Sequence, residues 1–141
     1  MTIKQITKFS TEVYQAVKVL IPQLGDDLTP PTEEEFRDML NSESVHFFVA
    51  QIDEKIVGML SIGSYLIPTG RKMWIEDVVV SQTVRGQGIG KALILYAIAY
   101  ARQAGVQAIM LTSRPQRVAA NSLYQSLGFI KRDTNVYIYN L

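Results

Sequence analysis

The chain of 141 residues is 48% hydrophobic and 19% charged, a composition typical of a folded globular protein, and its length predicts one domain over residues 1–141. It has no cysteine, and its single histidine, His46, cannot build a metal site alone, so we expect no disulfide and no metal. No apolar run reaches the ~18 residues of a membrane span, and the polar first residues lack the apolar core of a signal peptide. We therefore expect a cytoplasmic protein without a membrane partner.

Charge is distributed unevenly along a chain whose formal net charge is only +1. Residues 1–77 carry seven Lys/Arg and twelve Asp/Glu, a balance of −5, whereas residues 78–141 carry seven Lys/Arg and one Asp, a balance of +6. A basic half attracts an anionic ligand and an acidic half a cationic one, although two solvated faces of opposite sign explain the split as well. The lack of a basic stripe with interleaved aromatic residues argues against a nucleic-acid partner.

The first half of the chain predicts one strand, two helices and three further strands. Weak alternation indicates a strand over Thr2–Phe9, and apolar residues at helical spacing indicate a helix from the cap residue Ser10 to about Ile21. The T-x-x-E pattern of Thr32 and Glu35 is a capping box that begins a second helix. Alternating and β-branched runs then predict three strands, Val45–Ile52, Ile56–Ile67 and Met73–Val80. Their short connecting turns favour antiparallel pairing.

The second half predicts a crossover connection and the closing part of the sheet. A helix is predicted over Gly90–Ala104 and a strand over Val106–Ser113, so the preceding strand and this one form a right-handed parallel crossover. A last helix over Arg117–Leu127 ends at Gly128, after which Phe129 packs back on the helix. Two more strands are predicted, Phe129–Lys131 and Asn135–Leu141. The whole is an α+β fold, a mixed central sheet of about seven strands with about four helices.

Three glycines lie between a buried strand and a helix, in the segment Arg85-Gly86-Gln87-Gly88-Ile89-Gly90-Lys91. Glycine lets successive backbone N–H groups turn toward one point, and a helix N-terminus adds unpaired N–H groups and a positive dipole. The dinucleotide pattern G-x-G-x-x-G fails because Lys91 and Leu93 stand where its third glycine belongs, and the Walker A pattern fails at Arg85 and Ala92. The segment therefore predicts a pyrophosphate site, with a plain glycine-rich connection as the alternative.

Three segments resemble the GNAT superfamily of N-acetyltransferases. The pattern Arg85-x-x-Gly88-x-Gly90 is similar to the family motif R/Q-x-x-G-x-G/A. The segment Ala119–Phe129 (AANSLYQSLGF) resembles the family helix A-x-x-L-Y-x-x-x-G-F, and Trp74–Ser81 (WIEDVVVS) resembles the central strand. The order of the predicted elements also agrees over nearly the whole chain. The resemblance implies a single-domain GNAT-like fold in which the central strand splays from its parallel neighbour at a bulge.

The resemblance implies that the chain binds acetyl-coenzyme A (acetyl-CoA) as its cosubstrate. It assigns the pyrophosphate to the residues from Arg85 to Lys91. It also gives backbone contacts with the pantetheine arm to three valines whose side chains are expected to be core, Val78, Val79 and Val80. A bulge there frees backbone N–H groups that need another partner. The family asparagine that contacts the arm falls at Arg117 here, so Asn121 is the expected substitute and the contact from the last helix stays open.

The same resemblance implies an enzyme that transfers the acetyl group directly to a primary amine of a small molecule or peptide in a ternary complex. Tyr124 matches the family tyrosine beside the cofactor sulfur, where a phenol contacts the cofactor and can protonate the departing thiolate. The alternative is a core tyrosine whose hydroxyl is hydrogen-bonded. A backbone N–H near Val78 is expected to polarise the thioester carbonyl.

The acceptor must lose a proton before it attacks, and Glu76 is the candidate base. Strict alternation places four residues on one face of the strand, Trp74, Glu76, Val78 and Val80. The resemblance leaves Asp77 or an ordered water open as the alternative base. An ion pair of Glu76 with Arg71 or Lys72 would be a purely structural alternative.

The acidic half predicts a cationic acceptor, because the helices expected over residues 10–42 wall the acceptor site in this family. The stretch Ile75–Val80 also resembles family members that acetylate amino-sugar phosphates, so acylation of anionic acceptors alone would contradict this prediction. The second candidate function is a non-catalytic acyl-CoA sensor or binding module, which needs neither Tyr124 nor Glu76. The closing strand over Asn135–Leu141 offers an edge to a second copy, and a homodimer is a further hypothesis.

Overall fold

The computed structural model describes all residues from Met1 to Leu141. They form two compact units, Met1–Leu111 and Thr112–Leu141, and each is described by itself. None of the helices has the length and hydropathy that crossing a bilayer requires. The prediction of one domain over residues 1–141 stays a prediction.

The first unit is built on a five-stranded sheet with three helices. Its elements are, in chain order, β1 (Thr2–Ile6), α1 (Thr11–Leu20), α2 (Glu33–Asn41), β2 (Val45–Ile52), β3 (Lys55–Ile67), β4 (Gly70–Val80), α3 (Ile89–Gln103) and β5 (Ile109–Met110). The strands follow one another across the sheet in the order β1-β2-β3-β4-β5. The first three pairings are antiparallel and the last is parallel, which confirms the predicted hairpins and the parallel connection through α3.

Side-chain caps begin both helices of the acidic half. Ser10 Oγ accepts the N–H of Val13 at 3.2 Å and begins α1. At the start of α2, Thr32 Oγ1 accepts the N–H of Glu35 at 3.2 Å and donates to Glu35 Oε1 at 3.0 Å. This confirms the helix start that the T-x-x-E pattern predicts. Each cap satisfies an N–H group that the first turn leaves unpaired and contributes about 1 kcal/mol.

α1 and α2 cover one face of the sheet and enclose an apolar core. Phe36 of α2 is 1% exposed, and its ring centroid lies 5.7 Å from that of Phe47 in β2 and 5.8 Å from that of Tyr14 in α1. The core takes buried residues from both helices and three strands: Val13, Val17, Leu20, Phe36, Phe47, Val49, Met59 and Val79. Because burying each such side chain contributes about 1.5–3 kcal/mol, this packing holds both helices on the sheet.

α3 covers the opposite face of the sheet. Phe48 of β2 lies against two tyrosine rings of α3, with centroid distances of 5.3 Å to Tyr96 and 5.1 Å to Tyr100. The Tyr100 hydroxyl also forms a hydrogen bond of 2.9 Å with His46 Nδ1. The aromatic contacts therefore fix the C-terminal half of α3 against β2.

β4 carries one extra residue relative to β3. Met59 pairs with Val79 and Ser61 pairs with Glu76, so one residue of β3 stands opposite two of β4. Asp77, one of these two, has φ +50°, in the left-handed region that residues other than glycine rarely adopt. The strand thus contains a β-bulge, at the level where the resemblance implies one.

The bulge makes the strict-alternation prediction for β4 wrong. Glu76 stands opposite Ser61, on the face that α1 and α2 cover, whereas Val80 stands opposite Gly58, on the face that α3 covers. Val79, which strict alternation places away from Glu76, is buried in the core under α1 and α2. An extra residue reverses the alternation beyond it, because side-chain directions along a strand repeat every two residues.

β4 and β5 form only a short parallel pair. β4 pairs with β5 at Met73 and Trp74 alone, and from Ile75 to Val80 it has no neighbouring strand on that side. β5 is correspondingly shorter than the strand predicted over Val106–Ser113. The open edge of β4 begins one residue before the two carboxylates at the bulge.

The second unit contains one helix, α4 (Val118–Ser126), and no strand. The helix ends as predicted at Gly128, which has φ +94°, and the N–H of Phe129 donates to Tyr124 O at 3.0 Å. The ring of Phe129 packs on that of Tyr124, with a centroid distance of 5.9 Å.

The two closing strands predicted at Phe129–Lys131 and Asn135–Leu141 are wrong, so the sheet has five strands and not about seven. Alternating apolar residues form a strand only where a neighbouring strand pairs with them and covers one face. Here the apolar side chains are exposed, Ile130 by 87% and Tyr137 by 88%.

A glycine in β3 determines how closely α3 approaches the sheet. A Cβ on Gly58 would lie 3.1 Å from Val79 O and 3.2 Å from Leu93 Cδ1, and both distances are shorter than ordinary contacts. Glycine at this position therefore lets the first turns of α3 pack directly on β3.

Gly58→Ala is expected to destabilise the first unit by about 1–3 kcal/mol, because the added methyl group overpacks the contact between β3 and α3. Urea unfolding followed by circular dichroism measures the loss. Gly63→Ala in the same strand is the matched control, since a Cβ there meets nothing within 4 Å, and it should change stability by no more than about 0.5 kcal/mol. Equal unfolding midpoints for the two variants would contradict the close packing at Gly58.

Candidate functional site

A glycine-rich loop joins the end of β4 to α3. A single 3₁₀ turn, Gln82–Val84, is followed by Arg85, and α3 begins at Ile89 with Gly88 as its N-cap. Gly86 and Gly88 have φ of +79° and +78°, a left-handed conformation that costs other residues about 1–2 kcal/mol. A Cβ on either glycine would meet nothing within 4 Å. Backbone conformation, and not crowding, therefore requires glycine at these two positions.

The backbone N–H groups of this loop have no partner in the protein. The first N–H of α3 that has one belongs to Ala92 and donates to Gly88 O at 3.0 Å, whereas those of residues 85–91 donate to no protein atom. Gly86, Gln87 and Gly88 are exposed, while the Ile89 side chain is buried and anchors the helix start. Free donors at the positive end of a helix attract anions, so this loop can hold a pyrophosphate through its backbone.

Two cations flank the loop. Arg85 Nε donates to Val80 O at 3.2 Å, which holds the guanidinium at the end of β4 and leaves its two terminal nitrogens without a protein partner. Lys91 lies in the first turn of α3, is exposed and forms no ion pair. Both side chains can therefore attract an anion that binds at the loop.

The open edge of β4 leads directly into the loop. Val79 is buried in the core, as its side chain was expected to be, while Val78 and Val80 are half-buried. Because no strand pairs with this edge beyond Trp74, its backbone groups can hydrogen-bond to an extended molecule that contains amides, in the manner of an added strand.

Two adjacent carboxylates, Glu76 and Asp77, lie at the bulge. Both are exposed, and neither forms an ion pair or hydrogen bond within the protein. Arg71 donates instead to Ser64 Oγ at 3.0 Å and Lys72 forms no ion pair, so the alternative that pairs Glu76 with one of them is wrong. Burial of part of its side chain, and then the charge of Asp77, raises the pKa of Glu76, since both disfavour the ionised form.

A cavity of about 290 Å³ opens beside the bulge. Its lining comes from the chain between α1 and α2, from both helices, and from β2, β3 and β4: Val17, Ile21, Leu24, Leu28, Thr29, Pro31, Glu35, Phe36, Met39, Phe47, Met59, Ser61 and Asp77. Nine of these thirteen residues are apolar, and the charged ones are Glu35 and Asp77. Asp77 therefore faces the cavity, and Glu76 lies beside it as the cross-strand neighbour of Ser61.

The sequence patterns do not identify Glu35 as a site residue and assign it to the helix cap alone. Its Oε1 accepts a hydrogen bond from Thr32, and the residue also lines the cavity. The one signal in the sequence is the run of three acids that begins α2, which the helix dipole explains by itself.

The second unit holds the remaining candidates, Tyr124 and Asn121. Tyr124 is buried, and its hydroxyl has no hydrogen-bond partner in the protein. Burial raises the pKa of this phenol, and the charge of Arg117 opposes that rise, so the phenol keeps its proton at neutral pH. Asn121 Nδ2 donates to Arg114 O and Arg117 O, both at 2.9 Å, which leaves Oδ1 as the free polar atom of this side chain.

Comparison with known sequences gives a family and several relatives. A sequence model of the Acetyltransferase (GNAT) family matches residues 13–129. Human N-acetyltransferase 8B is 37% identical over 87 residues, which are 60% of this chain and 38% of that protein. The mycothiol acetyltransferase of Renibacterium salmoninarum is 37% identical over 97 residues, which are 65% of this chain and 29% of that protein. The chain thus spans less than half the length of these curated relatives.

Solved structures share the fold over almost the whole chain. An aminoglycoside acetyltransferase from an uncultured soil metagenomic sample has a TM-score of 0.87 at 21% identity, covering 99% of this chain and 95% of that one. A protein from Bacillus halodurans described as a transcriptional regulator has a TM-score of 0.82 at 28% identity, covering 99% of both chains. These likenesses confirm the predicted α+β, GNAT-like fold. With the family match over residues 13–129, they show that the chain belongs to the acetyltransferase (GNAT) family.

Proposed function

We propose that the chain is an acetyl-CoA-dependent N-acetyltransferase, which transfers the acetyl group directly to a primary amine of a small molecule or peptide. The observation that carries the proposal is the set of free backbone N–H groups of residues 85–91 at the start of α3, beside an open edge of β4. The names of the two relatives, N-acetyltransferase 8B and mycothiol acetyltransferase, support it. A cytoplasmic location stays a prediction.

The chain has suitable groups for the pyrophosphate and the pantetheine arm of acetyl-CoA. The N–H groups of residues 85–91 and the cations Arg85 and Lys91 would hold the pyrophosphate, and the backbone of Val78–Val80 would bind the pantetheine arm. Asn121 would contribute through Oδ1 alone, because its Nδ2 is already engaged. When bound, acetyl-CoA supplies the thioester that the acceptor attacks.

The carboxylates around the cavity would prepare the acceptor. Glu35 and Asp77 attract a cationic ammonium, and Glu76 removes one of its protons so that the nitrogen lone pair can attack the acetyl carbonyl. The raised pKa of Glu76 supports this role, because a stronger base accepts the proton more readily. Holding amine and thioester together accounts for much of the rate, so no acyl-enzyme is needed.

Tyr124 would complete the transfer as general acid. As the new C–N bond forms and the C–S bond breaks, Tyr124 gives its phenolic proton to the leaving sulfur. The proton that the nitrogen loses on becoming an amide passes to water, and the phenolate regains a proton from water. A hydroxyl without a protein partner, on a phenol that keeps its proton at neutral pH, supports this role. A backbone N–H at Val78 would stabilise negative charge on the carbonyl oxygen during the step.

A non-catalytic acyl-CoA sensor is the second candidate function. The Bacillus halodurans structure described as a transcriptional regulator favours it, and the glycine loop would serve a sensor equally well. The unpaired carboxylates at the bulge favour the enzyme, because a module that only binds the coenzyme has no use for a base there.

A homodimer remains part of the proposal. The segment 135–141 presents exposed apolar side chains, among them Tyr137 and Ile138, and β5 is an edge strand of the sheet. A second copy that added a strand would cover such surfaces.

Tyr124→Phe is expected to lower kcat about a hundredfold or more, because it removes the proton donor, while the Kd for acetyl-CoA stays within about twofold. Thiol release from acetyl-CoA across a panel of amines measures kcat, and calorimetry measures Kd. Tyr96→Phe is the matched control, since this tyrosine packs on Phe48, on the face of the sheet opposite to the one that Glu76 takes. Tight acetyl-CoA binding by the unmodified chain, with thiol release for no amine, would favour the sensor.

Arg85→Ala is expected to weaken acetyl-CoA binding about fivefold to tenfold, because it removes a charge from the pyrophosphate site. Gly88→Ala should weaken it further, since alanine strains the left-handed position that begins α3. Acetyl-pantetheine, which has no pyrophosphate, should bind Arg85→Ala and the unmodified chain alike. Arg102→Ala, in the last turn of α3, is the control. Unchanged acetyl-CoA affinity in Arg85→Ala would count against the loop as the pyrophosphate site.

Asp77→Asn is expected to move the acidic limb of the kcat/KM profile to lower pH. Burial and, as the smaller cause, the charge of Asp77 raise the pKa of Glu76. Removal of that charge therefore lowers the pKa in part and leaves the base ionised at lower pH. Asp38→Asn, an equal loss of charge on the exposed side of α2, should leave the limb in place. A limb that moves to higher pH, or moves equally in both variants, would exclude Glu76 as the base.

A further inference from the structure

We propose that the acceptor is a lipophilic primary amine, whose ammonium lies at Glu35 and Asp77 and whose hydrocarbon part fills the cavity between α1, α2 and the sheet. The inference rests on the proposed acetyl transfer, because it names the class of amine for the same site. The composition of the cavity supports the inference, since most lining residues are apolar and the two charged ones, Glu35 and Asp77, are both acidic.

The walls of the cavity are hydrocarbon. Phe36, Phe47 and Met59 form its deep part and are no more than 3% exposed, while Leu28 lies near the surface. A sugar or a polyamine would lose water from its hydroxyl or ammonium groups there without gaining hydrogen bonds in return. An alkyl or aryl chain has no such groups, and its burial is favourable in proportion to the apolar area removed from water.

The polar groups of the cavity suit one ammonium. Asp77 has no partner in the protein, and Glu35 accepts one hydrogen bond, from Thr32 to Oε1, so its second oxygen is free. No lysine or arginine lines the cavity to neutralise them. The hydroxyls of Thr29 and Ser61 add two further groups that can accept a hydrogen bond. A second ammonium further along the acceptor would lie against the apolar walls.

Two long-range hydrogen bonds hold the outer wall in place. Tyr14 donates from its hydroxyl to Pro31 O at 2.9 Å, which fixes the segment between α1 and α2. The N–H of Gln82 donates to Gln23 Oε1 at 2.9 Å, which joins the turn after α1 to the residues between β4 and the glycine loop. A preformed apolar site selects ligands by shape and burial, because binding spends little energy on ordering it.

Hexylamine and aminopentanol test the inference, because they share one ammonium and nearly equal length but end in a methyl and a hydroxyl group. Thiol release from acetyl-CoA is expected to give a kcat/KM about tenfold higher for hexylamine. Along the series from propylamine to hexylamine, kcat/KM should rise about two- to fourfold per methylene. Equal values for the matched pair, or a preference for spermidine, would overturn the inference.

Leu28→Ser tests the wall without opening the core, because this lining residue is 46% exposed. It is expected to lower kcat/KM for hexylamine about fivefold and to leave the Kd for acetyl-CoA within about twofold. Leu66→Ser is the matched control, since Leu66 is 69% exposed and lies outside the lining. If the two variants behave alike toward hexylamine, the cavity does not hold the acceptor.

Failure of the proposed function would give a different result. If no amine of the panel leads to thiol release, the result counts against the proposed acetyl transfer, and calorimetric titration of hexylamine and aminopentanol still tests which class of amine the cavity binds. Tighter binding of hexylamine that is weakened by Leu28→Ser supports a lipophilic amine as ligand. Equal binding of the two amines overturns it, whatever the kinetics show.

Discussion

The candidate site depends on one extra residue in β4. Without the bulge at Asp77, a strict period of two would send Glu76, Val78 and Val80 to the same face of the sheet. With it, Glu76 faces α1 and α2 while Val80 faces α3. The same strand thus presents carboxylates to the cavity and ends at Val80, three residues after Asp77. The glycine-rich loop that follows leads into α3, whose first residue, Ile89, is buried. The left-handed backbone of Asp77 costs about 1–3 kcal/mol. Packing on both faces of the sheet holds the strand in this conformation in spite of the cost.

Features set by neighbouring residues could be predicted from the sequence. Ser10 and Thr32 begin helices, and Gly128 ends one, because each acts on backbone groups within four residues of itself. The hairpin strands follow from alternation and short turns for the same reason. The glycine loop could also be predicted, since the glycines, the strand before them and the helix after them are all adjacent in the sequence.

Features set by distant partners could not be predicted. Segments 129–131 and 135–141 have the composition of strands, but pairing decides whether a strand forms, and no pairing partner can be inferred from the segments themselves. The bulge decides which of the three valines Val78–Val80 share a face with Glu76. The sequence does not reveal it, because all three residues are apolar and show no alternation. The cavity is formed by residues up to sixty positions apart, from Val17 to Asp77, and no single stretch of sequence contains it.

The charge split of the sequence resolves into two kinds of acid. Glu33 forms an ion pair with Arg37 at 2.9 Å on the exposed side of α2, as expected for a solvated face. Glu35, two residues later, both supports the cap at Thr32 and lines the cavity with Asp77. The solvated-face explanation therefore holds for Glu33, and the attraction of a cationic acceptor by Glu35 and Asp77 is the proposal made for the cavity. The negative charge of the acidic half predicts a positively charged acceptor. The apolar walls of the cavity constrain the remainder of the acceptor, because they exclude groups that must stay hydrated.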